Sequence, residues 1–131
     1  MSTAAPRVLV VDDNALTVEL VGFVLGQAGF DLQTAGDAAA ALQRIAERRP
    51  DLILMDIQLP GLDGLALTRH LKAEAATRGI VIIAFTAYAM KGDELTMRAA
   101  GCDGYLSKPI DVARLADTLR GWLPRQETPS G

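Results

Sequence analysis

The chain's 131 residues are enough for one domain around one core, and half of them are apolar. A net charge of −3 leaves no basic footprint for nucleic acid, and no apolar run reaches membrane-spanning length. The single cysteine, Cys102, excludes an internal disulfide and a four-ligand zinc site.

Residues 1–6 are small and polar and lack the charged and apolar regions of a secretion signal, so a cytoplasmic location is expected. They read as disordered, as does the polar tail 124–131, which leaves 7–123 as the folded domain. Val8 to Val11 form the first apolar run, a strand predicted over 7–11 that stops at Asp12-Asp13-Asn14. A helix is predicted over 15–28, with Gly29 as its stop. Leu20, Val21, Val24, Leu25 and Ala28 make its inward stripe, and Leu16, Val18 and Phe23 fall outside it. That apolar surplus suggests a docking surface.

A weaker run over 30–35 reads as an edge strand. Asp37 is placed to cap a helix through residue 48, with Ala41, Leu42 and Ile45 inward. After Pro50, the run 52–56 is wholly apolar until it ends in Asp56, and Pro60, Gly61 and Gly64 punctuate the loop that follows. A helix over 65–73 puts Leu67 and Leu71 one turn apart. The strand 80–85 then ends at Thr86, a charged helix over 90–100 closes at Gly101, and a short strand covers 104–107. Lys108-Pro109 follows, and a last helix over 111–123 carries Leu115, Leu119 and Trp122 at helical spacing. Five apolar strands alternating with helices imply an α/β fold, a doubly wound parallel sheet covered on both faces.

In such a sheet the reactive crevice lies beyond the carboxyl ends of the strands. Asp12, Asp13, Asp56, Thr86 and Lys108 all fall there, from four separate parts of the chain. With strand order 2-1-3-4-5 the first and third strands are neighbours, and three carboxylates share one pocket. Crowded carboxylates need a cation, either the Lys108 ammonium or a hard divalent ion. Magnesium, or manganese in its place, suits oxygen ligands: Asp13 and Asp56 directly, Asp12 through water, and the backbone carbonyl of Gln58. A carboxylate can attack phosphorus, and phosphoryl transfer needs charge neutralisation above all. Lys108 and the ion would neutralise phosphoryl oxygens, the Thr86 hydroxyl would donate to another, and small Ala87 leaves room. No dedicated base is present to hydrolyse an aspartyl-phosphate, which points to a persistent mark rather than turnover. His70, on the third helix, is expected at the surface far from this rim, and Cys102 is expected to be small core filler.

With Asp12-Asp13, Asp56, Thr86 and Lys108-Pro109 in this order and spacing, residues 7–123 resemble a response-regulator receiver domain. The runs 51–60 and 86–94, with Gly101-Cys102 and Ser107-Lys108-Pro109-Ile110, look most like stand-alone receivers of the DivK type and like receivers of hybrid histidine kinases. The resemblance implies a flavodoxin-like (βα)5 fold. It implies that Asp56 takes a phosphoryl group, with magnesium, from the phosphohistidine of a histidine kinase or histidine phosphotransfer protein. Thr86 and Tyr105 would act as switch residues, remodelling the face of the fourth helix, fifth strand and fifth helix for a protein target. The first helix and the Pro109 loop would receive the donor. Gln58 and Tyr88 stand at the positions that tune dephosphorylation.

Three other functions fit less well. A phosphatase of the haloacid-dehalogenase type needs a second aspartate two residues after the nucleophile, where this chain has Gln58. A flavodoxin-like electron carrier needs a hydroxyl-rich loop where Asp12-Asp13 would repel a flavin phosphate. A pseudo-receiver would have lost part of the site, and nothing is missing. A bulky Tyr88 is expected to shield the phosphoryl group from water. Wild-type protein should therefore lose labelled phosphate more slowly than Tyr88→Ala in a decay time course, and faster loss in wild type would contradict that role.

Overall fold

Each predicted strand and helix is present in the computed structural model, which describes residues 6–57, 64–86, 91–107 and 111–123, without the side chains of 86, 91–94 and 107. The chain runs β1 (Arg7–Val11), α1 (Ala15–Gln27), β2 (Asp31–Ala35), α2 (Ala38–Glu47), β3 (Leu52–Asp56), α3 (Gly64–Ala73), β4 (Val81–Thr86), α4 (Lys91–Ala100), β5 (Gly104–Ser107) and α5 (Leu115–Trp122). The five strands are parallel, in the order β2-β1-β3-β4-β5, which makes β2 the edge strand expected from its weaker apolar run.

Alternation along the strands splits the interior into two cores, one on each face of the sheet. Leu9, Val11, Ile53, Met55, Ile82 and Ala84 face one way, toward Ala41, Ile45, Leu67, Leu71 and Met97 of α2, α3 and α4. Val8, Val10, Leu52, Leu54, Ile83 and Phe85 face the other way, toward Val21 and Leu25 of α1 and Leu115 and Leu119 of α5. A strand covered on both faces has no polar side to show, so β3 reads as an unbroken apolar run.

Helix ends follow local chemistry. Asn14 caps α1 by accepting from Thr17 N, and Asp37 caps α2 by accepting from Ala40 N. Gly29 and Gly101 follow α1 and α4 with φ of 94° and 109°, a conformation in which a side chain would be strained.

Three details differ from the sequence reading. On α1 the inward residues are Val21, Val24, Leu25 and Ala28, as expected, joined by Val18, whereas Leu20 is exposed. The outward row is Leu16, Leu20 and Phe23, exposed by 77 %, 44 % and 67 %. Because α1 is apolar almost all round, its periodicity alone does not select the face. Leu42 of α2 is likewise exposed rather than inward. Helix α5 begins at Leu115 rather than 111, because a turn precedes it in which Arg114 N and Leu115 N both bond to Asp111 O.

Two basic side chains fasten the layers. The Arg120 guanidinium donates to Ala28 O at the end of α1 and lies over the Phe30 ring, 5.0 Å from its centroid. Lys72, in the last turn of α3, donates to Asp103 Oδ2 at 2.9 Å, Ile80 O at 2.8 Å and Arg78 O at 3.2 Å. Asp103 Oδ2 also accepts from Ile82 N at 2.8 Å, so one ion pair ties α3 to the roots of β4 and β5. Cys102, beside it, is buried; burial pushes its thiol above the ordinary range, with the hydrogen bond to Thr68 opposing that rise. It is core filler, as the sequence suggested. Lys72→Met removes three charge-assisted bonds and is expected to lower the unfolding free energy by about 2–3 kcal/mol in a urea titration.

Candidate functional site

β1 and β3 are neighbours, with Val11 opposite Met55, so the residues that follow Val11 and Met55 reach the same rim. Those residues are Asp12 and Asp56. Asp12 is 2 % exposed and Asp56 6 %, while Asp13, next along, is exposed. One carboxylate oxygen from each of Asp12, Asp13 and Asp56 lies within 4.8 Å of the others.

Each residue is held by its own element. Asp12 N donates to Ala35 O at 3.0 Å, which carries the β1–β2 pairing one step past the strand. Its Oδ1 accepts from Asn14 N at 2.9 Å. Asp56 is the last residue of β3 and pairs with Phe85 of β4. Gly64 starts α3 directly against it. Gly64 N donates to Ile57 O at 3.2 Å, and a Cβ on Gly64 would sit 2.2 Å from Asp56 O and 2.8 Å from Ile57 Cα. Gly64 therefore lies against the backbone of Asp56 and Ile57 at a distance that only glycine allows. Thr68, fully buried, donates to Gly64 O at 2.8 Å and steadies that first turn.

Three converging carboxylates, two of them buried, repel one another and ask for a cation. The donor set is all oxygen, which fits a hard divalent ion such as magnesium. β4 ends at Thr86, one residue beyond the Asp56–Phe85 pair and opposite Ser107 at the end of β5, so the strand ends bring position 86 and the residue before Lys108 to the same rim. The Thr86 side chain, Gln58, Tyr88, Lys108 and Pro109 lie outside the described residues. Tyr105, on β5, is half-buried and packs against the core on the α2–α4 side. His70 is exposed and lies six residues along α3 from Gly64, about 9 Å down the axis at 1.5 Å per residue. No described helix is long and apolar enough to cross a membrane.

The sequence reading took Gly64 as loop punctuation and passed over Asn14. A glycine opening a helix just after a buried acidic strand end was the available signal for the first, and an asparagine before an apolar periodic run was the signal for the second. Gly64→Ala is expected to cost about 1–3 kcal/mol, since the atoms it meets are backbone and cannot turn aside. Gly26→Ala in α1, with nothing within 4 Å of the added carbon, should be neutral or stabilise by up to about 1 kcal/mol. Urea unfolding of the two variants side by side checks the contrast.

Comparison with known proteins agrees with this geometry. Residues 8–120 match the family model for the response regulator receiver domain. The chain is 44 % identical over 116 residues to the polar-differentiation response regulator DivK of Brucella anthropi, covering 88 % of this chain and 94 % of that one. Among solved structures, the receiver domain of the sensor histidine kinase PA1611 from Pseudomonas aeruginosa, solved with magnesium in its active-site cleft, superposes with a TM-score of 0.82. It is 35 % identical, over 91 % of this chain and 98 % of that one. The chemotaxis response regulator CheY4 of Vibrio cholerae gives a TM-score of 0.86 at 27 % identity, over 91 % and 99 %. A matching family model, a DivK relative of nearly the same extent and the shared sheet order together make this chain a member of the response-regulator receiver domain family.

Proposed function

We propose that the chain is a phosphorylation-controlled switch in which Asp56 accepts a phosphoryl group from the phosphohistidine of a histidine kinase or histidine phosphotransfer protein. An Asp56 carboxylate oxygen attacks phosphorus, the phosphorus–nitrogen bond to the donor imidazole breaks, and the imidazole leaves with a proton from solvent. The observation that carries this reading is the crowding of Asp12, Asp13 and Asp56 within 4.8 Å, with Asp56 buried at the end of β3.

Asp13 and Asp56 would hold magnesium directly, with the Gln58 backbone carbonyl, and Asp12 through water; manganese would serve in its place. The ion supplies charge neutralisation to the phosphoryl oxygens. Lys108 shares that task from the end of β5, and Thr86 donates its hydroxyl to the remaining oxygen. The solved relative that carries magnesium in its cleft supports the choice of ion.

Thr86 and Tyr105 pass the phosphorylated state to the face of α4, β5 and α5, where exposed Leu95 on α4 supports a protein target. The exposed row Leu16, Leu20 and Phe23 on α1 supports donor docking there, a role shared in this reading with the residues around Pro109. The protein is a phosphoacceptor that assists its own phosphorylation and dephosphorylation rather than an enzyme with a separate substrate. It works in the cytoplasm through protein contacts, and its net charge of −3 supports neither nucleic-acid nor membrane binding. Gln58 and Tyr88 set how long the mark lasts.

Incubation with magnesium and a small acyl-phosphate donor, followed by intact-mass spectrometry, tests the reading. Wild type should gain one phosphoryl group and Asp56→Asn none. Equal labelling of the two would overturn it.

A further inference from the structure

We infer that Asn14 is a positioning residue for the cation site, acting through Asp12; the inference rests on the magnesium reading above. Two hydrogen bonds in series support it. Asn14 Oδ1 accepts from Thr17 N at 3.1 Å, and Asn14 N donates to Asp12 Oδ1 at 2.9 Å. The first bond is a helix cap; the second ties a carboxylate of the acidic cluster to the capping residue.

A carboxylate attached at one point can rotate about its Cβ–Cγ bond. The Asn14 N–H limits that rotation in Asp12 as one of its bonds, and the Asp12 N–H is anchored to Ala35 O at 3.0 Å. The position of the Asn14 N–H depends in turn on the first turn of α1. That turn is closed by the Asn14 side chain and by Val18 N donating to Asn14 O at 3.0 Å. The helix behind it is seated in the core through Val21 and Leu25. Asn14 therefore converts the rigidity of α1 into a fixed orientation of Asp12 toward Asp13 and Asp56.

Residue type matters here. Aspartate would cap the helix as well but would add a fourth negative charge beside the cluster. Alanine would leave Thr17 N without its cap. Serine caps without charge. Glycine at a cap position costs the helix only a few tenths of a kcal/mol, so Asn14→Gly should remain folded while losing the oxygen that closes the turn.

The test is calorimetric titration of the full chain with magnesium. Groups that orient a metal's direct ligands control its affinity by about one to two orders of magnitude; Asp12 acts through water, one step further out, so Asn14→Ala and Asn14→Gly should each weaken magnesium binding by roughly threefold to tenfold. Asn14→Ser should restore most of the affinity. Arg120→Met, which releases the opposite end of α1 from Ala28 O, should lower the unfolding midpoint yet leave magnesium affinity at the wild-type value. Wild-type affinity in both Asn14→Ala and Asn14→Gly would overturn the inference. So would an equal loss in Arg120→Met, which would assign the effect to general loosening of the helix. A wild-type chain that takes up no magnesium would overturn the metal reading together with the inference built on it.

Discussion

Mutual repulsion among three carboxylates is the constraint on which the rest of this molecule depends. Asp12, Asp13 and Asp56 come from two strands far apart in sequence, and only the adjacency of β1 and β3 brings them within 4.8 Å. Two of the three are buried, where water screens their charge poorly. A fold that merely needed a stable core would place neutral groups there. The backbone around the cluster is tightly specified: Asp12 is held by Ala35 O and Asn14 N, and Asp56 is braced by a helix that begins on its own carbonyl.

The sheet makes that arrangement affordable. With both faces covered, the two cores keep the strand ends rigid, and the polar rim is confined to one edge of the molecule. At the opposite edge, Lys72 and Asp103 fix the roots of β4 and β5, the strands whose far ends carry Thr86 and Ser107. Anchoring a strand at its root leaves any rearrangement to its tip, where one proposed switch residue, Thr86, stands.

Much of this was legible from the amino acids because buried parallel strands leave a plain trace. Apolar runs that stop at Asp12, Asp56 and Thr86 disclose both the sheet and its rim, and the glycines at 29 and 101 mark helix ends. Other features left no trace in the pattern. The Lys72 clasp depends on carbonyls and a carboxylate that only the folded chain gathers, and a lysine in a helix looks the same with or without them. The closeness of Gly64 to Asp56 is a three-dimensional fact. Helix α1 misled for the opposite reason: apolar residues on nearly every side left Val18 and Leu20 interchangeable to a periodicity argument.

That outward row on α1 has an evolutionary consequence. Leu16, Leu20 and Phe23 point away from the core, so their replacement perturbs packing little. Packing leaves these positions freer to change than Gly64, where an added Cβ would meet the backbone of Asp56. Under the proposed docking of the donor on α1, a duplicated copy could acquire a different donor while inheriting its chemistry unaltered.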